Sequence, residues 1–130
     1  MSGEIIIHSL EQARAALAIA ASMNAPIVLA SAPGAALQTG PLWFKAVIDQ
    51  ASTAHPGVAF TAILDCGEAP GAVMAGLRAG LTHFRFSGHA ELRDKLAAIG
   101  AEFAEPAIAS LDLRDAREPD TAIRAFLTRR

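Results

Sequence analysis

Asp65 and Cys66 stand side by side at the end of an uncharged run, Val58 to Leu64, and Gly67 follows them. A carboxylate in that position can serve as a general acid or base, or hold a cation. A cysteine can supply a thiolate nucleophile or a soft ligand for zinc. Each has a plainer reading: Cys66 as a small buried hydrophobe, Asp65 as a helix cap or the ion-pair partner of Arg85. Further candidates for ligand binding are His8, Ser31, Arg85, Ser87, His89 and Asp112. His55 and His83 fall at the opposite ends of their strands, and the four histidines show no metal-ligand spacing. Gly67, Gly71 and Gly76 do not form a phosphate-binding fingerprint, because Pro70 and Gly71 open a helix.

The elements that must carry these residues alternate regularly. Ile5–Ile7 is a β-branched first strand. Ser9 and Gln12 form a capping-box pattern for a helix reaching Asn24. Ile27–Ala30 is a second strand, and residues 31–40 read as a loop. Pro41 opens a helix to about Ala54. Strand three is Val58–Leu64, followed by a helix from Pro70 to Gly80. Thr82–Phe86, a helix at Glu91–Ile99, a strand at Ala107–Leu113 and a helix at Thr121–Leu127, capped by Asp120, complete five βα units. Such alternation implies a parallel sheet with right-handed crossovers.

Two architectures fit: part of a TIM-like (β/α)-barrel, or an open flavodoxin-like sheet. The pleat separates the polar residues from the rest. One face holds Ile6, His8, Leu29, Ser31, Thr61, Ile63, Asp65, His83, Arg85, Ser87, Ile108, Ser110 and Asp112. The other is apolar and suits a helix layer. Burying Arg85 under helices would be costly unless it were paired, which favours the partial barrel, with Asp65 as its expected partner on the neighbouring strand. In a barrel the strand ends converge on one mouth, bringing Asp65, Cys66, His8, Ser31, Ser87, His89 and Asp112 together.

Composition narrows the function classes. At 130 residues the chain is one domain with a substantial core. Its net charge is −2 and its basic residues are scattered, so no field exists to hold nucleic acid. The longest apolar run is too short to span a membrane, and the N-terminus lacks the pattern of a signal peptide. A single cysteine suits a reducing cytoplasm. Mean hydropathy is +0.34, high for a small soluble domain, which points to a covered surface and a homodimer.

Ser9–Gly34, SLEQARAALAIAASMNAPIVLASAPG, resembles the opening βαβ unit of class II fructose-bisphosphate-type aldolases. AILDCGEAPGAVMAGLRAGLTHFRFSG is similar to that family's third strand, third helix and fourth strand. The resemblance covers about residues 5–89, with a weaker continuation through Leu111–Leu113. It implies a barrel-type fold, with Asp65 at the catalytic aspartate and Cys66 at the first zinc histidine. It also sets Ser87 at a turn aspartate, His8 near an asparagine and Asp112 at a second carboxylate. The other zinc histidines and the phosphate loops belong to later strands of the family. The expectation is an aldolase-like protein without full aldolase activity, binding a phosphosugar-like or carbonyl ligand, or a partner. The alternatives are a zinc-dependent aldehyde-lyase completed by oligomerisation, and a structural or regulatory subunit.

Overall fold

The computed structural model describes residues 3–129. In chain order these form β1 (Glu4–Ile6), α1 (Leu10–Met23), β2 (Ile27–Ala30), α2 (Ala35–Gln38), α3 (Pro41–Thr53), β3 (Phe60–Asp65), α4 (Pro70–Ala79) and β4 (His83–Arg85). They continue with α5 (Ala90–Ala98), β5 (Glu102–Phe103), β6 (Ser110–Asp112), a 3-10 turn (Leu113–Asp115) and α6 (Pro119–Thr128). Local chemistry sets most boundaries. The Ser9 hydroxyl accepts from the Gln12 N–H at the start of α1, and Asn24 closes that helix in the left-handed conformation. Prolines occupy the first turns of α3, α4 and α6.

The six strands are all parallel, in the order β5-β4-β3-β2-β1-β6. Steps from β1 to β5 therefore all run one way across the sheet, and right-handed crossovers put the helices on one side. The helices pack accordingly as one layer, α6 on α1, α1 on α3, α3 on α4 and α4 on α5. Ile5, Ile7, Leu17, Leu29, Phe44, Leu64, Phe84 and Ile123 fill the core between this layer and the sheet. No helix among the described residues is long and apolar enough to cross a membrane.

The sheet is strongly curved. Arg85 is level with Asp65, two residues beyond the Ile63 that lies level with Ile6. In a flat sheet Arg85 and Glu4 would be three strand spacings and four residues apart, about 19 Å, too far for their side chains to meet. Their charged ends are 2.9 Å apart. The segment 104–109 also joins the two edge strands, which a flat sheet would hold about 24 Å apart. The sheet is thus an arc, with Glu4, Ala30 and Ile63 all at least 95% buried on the side away from the helices.

Four expectations are corrected. Leu29 belongs to the helix side: Ile5 pairs with Leu29 and Ile6 with Ala30, so β2 sits one residue from the expected register and Val28 and Ala30 face the arc's interior. The strand expected at Ala107–Leu113 is only Ser110–Asp112, paired with β1; Ile108 precedes it and is exposed. Glu102–Phe103 adds a strand beside β4. Glu118, not Asp120, occupies the N-cap of α6, because Pro119 takes the first helical position.

Candidate functional site

At the C-terminal end of β3, Asp65 holds backbone rather than substrate. Its Oδ1 accepts from the N–H groups of Gly34 and Gly67, both at 3.0 Å. Both glycines have positive φ, 71° and 56°, a conformation that costs other residues strain. The Asp65 N–H itself donates to the Ser31 hydroxyl at 2.9 Å. Ser31 is buried, and its own N–H donates to Ile63, so its hydroxyl continues the ladder where β2 has ended. Asp65 and Ser31 together fix the loop that leads into α2.

The expected Asp65–Arg85 pair is absent, although the two residues are register partners. Arg85 turns into the arc instead. Its Nη1 pairs with Glu4, and its Nη2 donates to the Glu105 carbonyl at 3.1 Å. The Ser110 hydroxyl donates to the same Glu4 carboxylate. Sequence reasoning passed over Glu4 because it precedes the apolar run of β1. Its position two residues before Ile6 is the signal that puts it on the polar face.

Cys66 points the other way, into the core beneath the helices, and is fully buried. Burial, with the Asp65 charge beside it, pushes its thiol up to about 12. A thiol so held supplies no thiolate near neutral pH. Among the described residues no three His, Cys, Asp or Glu side chains converge as a metal set. The donor geometry around Cys66 does not fit the zinc that the resemblance implied.

A second cluster forms over β1 and β6. His8 Nε2 lies 2.6 Å from Asp112 Oδ1. Gln12 ties the cluster down: its side chain accepts from the His8 N–H and donates to the Leu113 carbonyl. Asp112 also accepts from the backbone N–H of Arg114 at 2.9 Å, which opens the 3-10 turn. Partial burial pushes the Asp112 carboxyl up, but the Arg114 N–H, the His8 ring and the charges of His8 and Arg114 together hold it below its ordinary range. The Arg114 guanidinium approaches His8 Nδ1 at 3.5 Å.

These groups border a cavity of about 80 Å³. His8 and Arg114 form one wall; Gln38, Thr39 and Trp43 form the other, at the α2–α3 junction. Ala32, on the loop that Asp65 pins, Ala35 at the start of α2, and Ile7 complete it. Of the expected site residues, His8 and Asp112 are joined directly, while Ser31 and Asp65 shape the wall. Ser87 and His89 lie exposed beyond β4, and their side chains make no hydrogen bond among the described residues. Arg114, Gln38, Thr39 and Trp43 are additions. Only Arg114 had a readable signal, two residues after a candidate aspartate at a strand end. A larger cleft of about 430 Å³ opens at the other end of the sheet, beside His55 and Asn24, away from this cluster.

Compared with known proteins, the chain matches no family model, and no curated protein matches it in sequence.

Proposed function

We propose that this protein is a divergent, aldolase-like α/β domain that binds a small molecule at the C-terminal ends of its strands and does not carry out zinc-dependent aldol cleavage. The observation that carries this reading is the His8–Asp112 pair beside Arg114, at the edge of a cavity over β1 and β6. Parallel α/β folds bind ligands at that end of the sheet. The proposed ligand carries a carbonyl or other oxygen acceptor, for which Arg114 and the Gln38 amide are donors. The absence of aldol cleavage is supported by Asp65, committed to two backbone N–H groups, and by Cys66, turned into the core. A reducing cytoplasm and a homodimer belong to the same proposal. Exposed Leu37 and Leu42, beside the cavity, support the dimer.

Amide chemical shifts read on titration with small carbonyl compounds test the binding, and an aldol-cleavage assay with fructose 1,6-bisphosphate and zinc tests the chemistry. The expected result is shifts around His8, Gln38 and Arg114 with no turnover. Zinc-dependent cleavage, or a mouth unmoved by every compound, overturns the reading.

A further inference from the structure

Among the described residues lining the cavity over β1 and β6, Arg114 is the only permanently charged one. No carboxylate lies within ion-pairing distance of its guanidinium among the described residues. Asp112, two residues away in the chain, spends its Oδ1 on the His8 ring and the Arg114 backbone. Among the described residues, the one side-chain hydrogen bond of Arg114 is the 3.5 Å approach to His8 Nδ1. That is a long bond, and a carboxylate oxygen is a much better acceptor, binding arginine at about 2.7–2.9 Å.

The same contacts fix the proton on His8. An ionised carboxylate only accepts and an arginine only donates. In its neutral form the ring therefore carries its proton on Nε2, toward Asp112, and leaves a lone pair on Nδ1, toward Arg114 and the cavity. Once a ligand carboxylate draws Arg114 away, Nδ1 needs a donor, and a hydroxyl supplies one. Asp112 holds the His8 ring and Gln12 its backbone, so the ring does not have to be ordered on binding. The cavity, of about 80 Å³, has room for an acid of two or three carbons, its carbon skeleton against Ala35 and Trp43.

We propose that the cavity is a binding site for a small 2-hydroxy carboxylate, its carboxylate held by Arg114 and its hydroxyl donating to His8 Nδ1. The inference rests on the reading of this mouth as a small-molecule site and adds the ligand's class and the role of each group. It separates charge from hydroxyl recognition, because each is assigned to a different residue.

Titration of the full chain with lactate, propionate, lactamide and hydroxyacetone, followed by amide chemical shifts, tests it. Lactate is expected to bind at least ten-fold tighter than propionate, which lacks the hydroxyl, and than lactamide, which lacks the charge. Arg114→Gln should erase the preference for lactate over lactamide, and His8→Phe the preference for lactate over propionate, each in a protein still folded at the titration temperature. Equal affinities for lactate and lactamide, or for lactate and propionate, overturn the inference. If hydroxyacetone still shifts the mouth in that case, the broader small-molecule reading stands; if no compound does, both fall. A variant that melts early is replaced by Arg114→Lys, which keeps the charge and loses the planar fork, and is expected to weaken lactate at least three-fold.

Discussion

Arg85 Nη1 meets Glu4 Oε1 at 2.9 Å although their strands, β4 and β1, are separated by two others. The pair spans the inside of the arc, with side chains 24% and 7% exposed. Curvature that lets β1 face β4 thus has a specific ionic clip across it. Ser110 and the Glu105 carbonyl extend the clip to β6 and to the segment joining β5 to β6. The clip is not fully satisfied, since Arg85 Nε is buried without a hydrogen-bond partner. Its value therefore lies in specifying the curve more than in net stability.

A double-mutant cycle measures this. Glu4→Met leaves the guanidinium unpaired, and Arg85→Met leaves the carboxylate, so each should cost about 3 kcal/mol in a urea melt. The double variant should cost little more than one of them, because no uncompensated charge remains. Additivity within about 0.5 kcal/mol would show that the two residues do not depend on each other.

Asp65 is expected to matter through the loop it holds. Asp65→Ala orphans the N–H groups of Gly34 and Gly67, at a cost of about 1–3 kcal/mol. Asp65→Asn keeps an oxygen in place and should recover most of that loss. Amide exchange should accelerate at Gly34 and Gly67 in the alanine variant first. Unchanged protection there would remove Asp65 from its role as the anchor of the cavity wall.

What the sequence revealed depended on the length of each signal. Long helices with proline and glycine punctuation, such as Pro70–Ala79 before Gly80, were readable to within a residue. Parallel alternation fixed the α/β class. A curved, partly barrel-like sheet was expected through Arg85, whose burial needs a partner, but the partner was wrong and the strand order was not readable. Strand-to-strand register is a long-range property: a slip of one residue in β2 moved Leu29 to the other face. Glu102–Phe103 is too short to show any period. At the site, His8 and Asp112 were both candidates, yet their contact joins residues 104 positions apart and follows only once β6 is seen to pair with β1.

Cys66 should behave as a core residue in two measurements. In the native protein it should resist a thiol reagent at neutral pH and react fully in denaturant. Its folded value is raised from 9.0 to about 12, so the folded state holds this proton more tightly than the unfolded chain. The resulting stabilisation is complete below 9.0 and is lost as pH rises toward 12. Cys66→Ala removes the titrating group and should flatten that alkaline decline. A native thiol that reacts as fast as in denaturant would contradict its burial.

Asp112 predicts the opposite limb. Its carboxyl is held below the ordinary value of 3.8 in the folded state. A depressed carboxylate contributes stability above its unfolded value, and that contribution is lost as pH falls through the lower, folded value. Melting temperature should therefore drop in acid more steeply in the native chain than in Asp112→Asn, which has no charge to lose. His8→Phe removes one of the groups that hold the carboxyl down and should make the acid decline shallower, with the Arg114 N–H retaining part of it. Asp112 is 47% exposed, so concentrated salt should shrink the difference between the variants by screening its charge interactions with His8 and Arg114. The measurement is a melt series across the acid range at low and high salt. Parallel curves for native and Asp112→Asn proteins would mean that the His8–Asp112 contact carries no charge stabilisation, leaving its 2.6 Å geometry without energetic consequence.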